Sequence, residues 1–128
     1  MTDLPLIATA GELDELLRGS RDRDLWLFKH STRCGASAHA LLELEEFLRA
    51  HGDEMEATVR LLEVPRQREL SDAVAERTGV RHHSPQLLVL RDGEVIWQAS
   101  HWGIERPRLE RALAGLARPE VETSEAAP

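Results

Sequence analysis

Four consecutive apolar residues, Leu25-Trp26-Leu27-Phe28, stand between Asp24 on one side and Lys29-His30 on the other. The run is too short for a helix and too uniformly apolar for a strand with one wet face, so it predicts a strand buried on both faces and ending at Lys29-His30. Such a strand needs cover above and below it, and the periodicity of the flanking segments supplies that cover as helices.

Thr9-Ala10-Gly11-Glu12 has the spacing of a capping box, and Leu13, Leu16 and Leu17 follow at helical intervals. A first helix is expected to run to about Arg18, with Gly19 closing it. Beyond the turn Ser31-Thr32-Arg33, the repeat Leu41, Leu42, Leu44, Phe47, Leu48 predicts a second helix over 34–50, with Cys34 in its first turn. Val59, Leu61 and Leu62 predict a strand within 57–64 that Pro65 ends. Leu70 and Val74, with Ala73, predict a third helix over 71–78 capped by Gly79. Two β-rich runs, 86–90 and 94–99, meet at Asp92-Gly93, whose tolerance of positive φ predicts an antiparallel hairpin. Leu109, Ala112, Leu113 and Leu116 predict a last helix over 104–116, with Pro107 in the first turn where its missing N–H is not needed. With an optional short strand at 5–7, the class is α/β: a mixed central sheet, helices on both faces, and a C-terminal hairpin plus helix. This order of elements resembles that of the thioredoxin fold.

A chain of 128 residues, 41% of them hydrophobic, can bury one ordinary core. Residues 1–117 are expected to form one domain, and 118–128, rich in Pro, Glu, Thr, Ser and Ala, a disordered tail. The net charge of −7 and the scattering of basic residues among acidic ones argue against a nucleic-acid partner. No stretch approaches the roughly 18 apolar residues of a membrane span, so no membrane partner is expected and the setting is read as cytoplasmic. Lys29 is the sole lysine, a bias that reads as one of coding rather than of physics.

The chemistry concentrates on the single cysteine, Cys34, which excludes an internal disulfide and points to a reducing compartment. Unpaired N–H groups and the dipole at a helix start favour an anion, and thiols so placed fall from about 8.5 to roughly 3.5–7.5. Arg33 adds positive charge beside it. Ser37, one turn on, stands where two-cysteine oxidoreductases hold a resolving thiol; its hydroxyl can donate to a thiolate but cannot displace a disulfide. Cys34 and Ser37 are therefore the catalytic candidates of a monothiol site. A lone cysteine is commonly an inert buried hydrophobe, but the strand-turn-helix setting favours the reactive reading. The six histidines form no metal-ligand spacing with Cys34, and the adjacent His82 and His83 point to different sides of an extended chain, so no bound metal or cofactor is expected. Glu43, Glu45 and Glu46 read as a solvated helix face, and no glycine-rich phosphate loop is present. Past the last strand, Trp102 could line a groove or anchor a helix entrance, and His101 is open in the same way.

The segment Phe28-Lys29-His30-Ser31-Thr32-Arg33-Cys34 with Ser37, then Ser84-Pro85-Gln86, then Trp97-Gln98-Ala99-Ser100-His101-Trp102, resembles the monothiol bacilliredoxins of the YtxJ-like family over 9–116. The resemblance implies a cytoplasmic oxidoreductase that removes bacillithiol, as co-substrate, from S-thiolated client proteins through a Cys34 mixed disulfide. It also implies that Pro85 is cis and faces the active cysteine, which leaves the backbone at Ser84 free to pair with substrate. Arg33, Ser84, Pro85 and Trp102 are thus the substrate-binding candidates. Gly35-Ala36 depart from the bulkier pair, often beginning with proline, of relatives, and Phe28 stands where thioredoxins carry a buried acid. Two rivals remain: an iron-sulfur-carrying monothiol glutaredoxin, from the likeness of Cys34-Gly35-Ala36-Ser37 to Cys-Gly-Phe-Ser, and a thioredoxin-fold binding module with a regulatory cysteine.

Overall fold

A computed structural model describes residues 4–117. The apolar run lies in a central strand, β1 (Leu25–Ser31), between a parallel β2 (Val59–Val64) and an antiparallel β3 (Gln86–Arg91). At one edge β4 (Glu94–Ser100) pairs antiparallel with β3, giving the order β2-β1-β3-β4. Helices α1 (Ala10–Gly19) and α4 (Arg68–Thr78) cover one face of the sheet, while α2 (Gly35–His51) and α5 (Arg106–Leu116) cover the other.

Strand alternation divides the core between these faces. Trp26, Phe28, Leu87 and Val89 pack with Leu44, Phe47 and Leu109 on the α2 side. Leu25, Leu27, Leu88 and Leu90 pack with Leu13, Leu70 and Val74 on the α1 side. Side chains of this size stabilise by about 1.5–3 kcal/mol each when fully buried, which is why the central strands carry no polar alternation.

Several boundaries differ from the sequence expectations for identifiable reasons. β1 does not end at Lys29-His30 but runs on to Ser31, because both polar side chains are buried and find partners. α2 begins at Gly35, which makes Cys34 the residue that precedes the helix rather than a member of its first turn. Within α2, Leu42 is exposed, and Ala40, Leu44, Phe47 and Leu48 form the buried stripe. α4 starts earlier than its apolar pattern indicated: the Gln67 side chain accepts from Glu63 N–H (2.8 Å) and donates to the Ile7 carbonyl (2.7 Å), fixing the turn before it. The polar turn α3 (Asp53–Glu56) follows Gly52, whose φ of 84° breaks α2. α5 starts at Arg106 because a 3-10 turn, His101–Gly103, intervenes.

Thr9 caps α1 by accepting from Glu12 N–H, and Glu12 reaches back to the N–H of Ala8. Asp92 and Gly93 both have positive φ, the geometry of a tight hairpin. The optional strand at 5–7 is one parallel bridge, Leu6 to Leu61. Among the described residues no helix is long and apolar enough to cross a membrane. Residues 118–128, expected to be a disordered tail, lie outside the described residues.

Candidate active site

At the C-terminal end of β1 the chain turns through Thr32 and Arg33 and enters α2, with Cys34 as its partly exposed N-cap residue in extended conformation. The Cys34 carbonyl accepts the N–H groups of Ser37 and Ala38 (3.1 Å each), while its own N–H donates to the Ser31 carbonyl (3.4 Å). The positive end of a 17-residue helix thus meets the cysteine, and no acidic residue in the first turn offsets it. Arg33 is exposed beside it, its backbone N–H held by the Ser31 hydroxyl at 3.3 Å.

Ser37 is fully buried, and both of its side-chain hydrogen bonds run back to β1. Its Oγ accepts from the Ser31 N–H at 2.8 Å and lies 2.9 Å from His30 Nδ1. The His30 side chain falls on the α2 side of β1 against Phe28, with ring centroids 5.7 Å apart, and the residue is only 7% exposed. Burial lowers its pKa below the usual 6.5, opposed by the charges of Glu63 and Glu45 and by the contact with Ser37.

The Ser84–Pro85 peptide bond is cis, and Pro85 is buried. The β1–β3 register ends with Lys29 opposite Gln86, so Pro85, the residue before Gln86, enters β3 at the end of the sheet where β1 runs out through His30 and Ser31. The loop before Pro85 and the cysteine therefore share one end of the sheet. The Ser84 hydroxyl is buried without a partner among the described residues. The Pro85 carbonyl accepts the His101 N–H at 3.0 Å, which ties the 3-10 turn to this loop. In that turn Trp102 is 62% exposed and lies 5.3 Å, ring to ring, from His39 of α2. It does not fit the reading of a half-buried anchor. His101, at φ 53°, packs edge-on against His83.

Three positions packed around the candidate site escaped the sequence reading. His39 and His30 carry no local signal, since each depends on which neighbour the fold brings to it. Lys29 had one: it is the lone lysine and adjoins an apolar run. Its side chain is fully buried on the α4 side of β1, where Nζ donates to the Ser71 carbonyl (3.3 Å) and meets His82 Nδ1 (3.1 Å). Burial lowers its pKa to about 8, opposed by Asp72. His82 is lowered by its own desolvation and then by Lys29. Gln86, also fully buried, donates to the Arg81 carbonyl at 3.0 Å and so holds the same loop from below. Among the described residues no three histidine, cysteine, aspartate or glutamate side chains gather as a metal site requires.

Known proteins share this fold. A thioredoxin-fold protein proposed to be an oxidoreductase superposes with a TM-score of 0.72 at 28% identity, over 84% of this chain and 91% of that one. Thioredoxins from Fasciola hepatica and Malassezia sympodialis share the fold at 16% and 15% identity, with TM-scores of 0.67 and 0.63. They cover 88% and 90% of this chain and 99% and 91% of their own. The model of the monothiol bacilliredoxin BrxC family matches residues 6–109, a span that takes in Cys34, Ser37, the cis-proline loop and Trp102. With one cysteine at the head of α2 and a serine where a second thiol would stand, the chain is a thiol redox protein that belongs to the monothiol bacilliredoxin family.

Proposed function

We propose that this protein removes bacillithiol, or a small thiol like it, from S-thiolated client proteins in the cytoplasm. The Cys34 thiolate attacks the disulfide sulfur that belongs to the small thiol; a new S–S bond forms to Cys34, the old one breaks, and the client leaves as a thiolate. A second small thiol, as its thiolate, then attacks the mixed disulfide on the sulfur of the bound small thiol. It releases Cys34 as thiolate together with the symmetrical small-thiol disulfide. Sulfur oxidation is conserved at each step, and a separate reductase recycles the product.

The observation that carries this reading is the pairing of a sole cysteine at the α2 N-cap with Ser37 in the following turn. A dithiol protein would resolve its mixed disulfide internally, whereas here only an external thiol can. In this reading the Ser84 backbone beside cis-Pro85 pairs with the client main chain. Arg33 and the exposed Trp102 flank the small thiol.

Intact-mass spectrometry after incubation with a bacillithiolated peptide tests the proposal. The wild type is expected to gain the mass of one bacillithiol as the peptide is reduced, and Cys34→Ala to gain none. A wild type that leaves the peptide untouched would sink the exchange reading.

A further inference from the structure

The loop from Val80 to Ser84 leads out of α4 into cis-Pro85 and β3. Val80 packs into the core on the α1 side, and beyond it the loop is held by hydrogen bonds. The Arg81 carbonyl accepts from the Gln86 amide (3.0 Å) and the Pro85 carbonyl accepts the His101 N–H (3.0 Å), while His82 Nδ1 lies 3.1 Å from both Lys29 Nζ and Ser71 Oγ. The first two ties join amide groups and are indifferent to pH. The third is not. An ammonium has three protons and no lone pair, so it meets Nδ1 only as a donor; Nδ1 is then bare and the ring proton sits on Nε2. The Ser71 hydroxyl can donate to the same nitrogen. An imidazolium carries a proton on each nitrogen and would set Nδ1–H against the ammonium. His82 is exposed, so a protonated ring has water to turn into, whereas Lys29 is fully buried and cannot follow it.

We propose that His82 is a positioning residue: as the neutral acceptor of Lys29 it latches the loop before cis-Pro85 onto the sheet, and its protonation releases that latch. The charged groups that face the ring are Lys29 from β1, Arg68 from α4 and His83 next to it in the loop, which oppose protonation, and Asp72 of α4, which favours it. From β3 the neighbour is Gln86, the register partner of Lys29, which does not titrate. The net effect, led by desolvation, holds the ring below its usual 6.5. The latched form thus binds fewer protons than the released one, so the latch is closed near pH 7 and opens as pH falls through 6.5 and on through the folded value. In the exchange reading, on which this consequence rests, the latched loop offers the Ser84 main chain to the client, and its release weakens client binding apart from anything that happens at the sulfur.

The test compares the wild type with His82→Asn, whose side-chain oxygen can stand where Nδ1 stands and does not titrate, and with His82→Ala, which has no acceptor. Backbone nitrogen relaxation NMR reads the loop amides from Val80 to Ser84 at about pH 7.5 and about pH 5, to either side of the ordinary imidazole range. The wild-type loop is expected to be as rigid as β3 at the higher pH and to loosen at the lower, His82→Ala to be loose at both, and His82→Asn to be rigid at both. The apparent KM for a thiolated peptide should follow: about tenfold higher in His82→Ala than in the wild type near neutral pH, the worth of one hydrogen bond from a charged donor. Lowering the pH should raise the KM of the wild type relative to that of His82→Asn by a similar factor, a ratio that removes whatever acid does elsewhere in the protein. A merely structural role predicts that His82→Asn loosens along with His82→Ala, or loosens in acid as the wild type does, and either result overturns the proposal; so does a loop that stays rigid in His82→Ala. Should His82→Asn not fold, nitrogen NMR of the wild-type imidazole decides: the Nε2–H tautomer is expected near neutral pH, and the Nδ1–H tautomer contradicts the latch. Relaxation and tautomer involve neither client nor small thiol, so the latch can stand where the de-thiolation assay fails. A working assay whose KM is indifferent to His82→Ala overturns the proposal and leaves the exchange reading intact.

Discussion

Lys29 and His30 are neighbours on β1, both polar and both buried, yet strand alternation sends their side chains to opposite faces of the sheet. On the α4 face, the Lys29 ammonium is held by the Ser71 carbonyl and His82, so it ties α4 and the loop before cis-Pro85 to the sheet. On the α2 face, His30 is held by a single hydroxyl on the first turn of the helix that Cys34 heads. The burial problem is the same and its solutions differ. A charged amine can only donate and needs fixed acceptors, whereas an imidazole can both donate and accept and is met here by a hydroxyl that can do the same. The α4 face ties the loop before cis-Pro85 to the sheet, and the α2 face ties the first turn of the cysteine's helix to it.

The comparison breaks most readily at Lys29. Lys29→Ala vacates the space of a four-carbon stem and leaves the Ser71 carbonyl buried without its donor, so urea unfolding is expected to record a loss of about 2–5 kcal/mol. Lys29→Met keeps the stem and should recover most of that; an equal loss in both variants would mean that the amine matters more than the packing. Next in size is a pH effect. A lysine at about 8 when folded and 10.5 when unfolded binds fewer protons in the native state between those values, so stability rises with pH across that window. The wild type is expected to gain up to ~3 kcal/mol relative to Lys29→Met between pH 8 and 10.5, read from denaturant midpoints.

His30 opens a different window. Its folded pKa lies below 6.5, so the wild type should lose stability, relative to His30→Phe, as pH falls through 6.5 and on through the folded value. Parallel stability curves for the two proteins in acid would show that the ring is not buried as described. The smallest effect on folding is expected at Trp102, which is mostly exposed: Trp102→Ala should change stability by no more than about 0.5 kcal/mol. Its apparent KM for a thiolated client should nevertheless rise several-fold; an unchanged KM would remove Trp102 from the binding surface.

The periodic elements were legible because their signals are local. Leu25 to Phe28 announced a strand covered on both faces, Asp92-Gly93 a hairpin, Gly79 a left-handed helix end, and Cys34 a thiol at a strand-to-helix turn. The Ser84–Pro85 bond is cis, as the resemblance implied. The structure departs from the sequence pattern at polar residues: buried Lys29 and His30 carry β1 past the end of its apolar run, and exposed Arg68 and Glu69 give α4 a first turn with no apolar face to mark it. Leu42 erred the other way, an apolar residue inside a regular-looking repeat that the helix turns to solvent.

By itself, then, the sequence determined the order of elements, the two-sided burial of β1, and the presence of one thiol with no internal partner, since each follows from spacing and counting along the chain. Only the tertiary structure decided that Lys29 and His30 stay inside, that the Ser37 hydroxyl serves β1, and that Trp102 stands clear on His39. Burying a polar side chain costs free energy unless a partner meets it, and those partners lie 42 residues away for Lys29 and 7 away across a turn for His30. Whether such a residue ends a strand or extends it is set by groups that only folding brings within 3.5 Å.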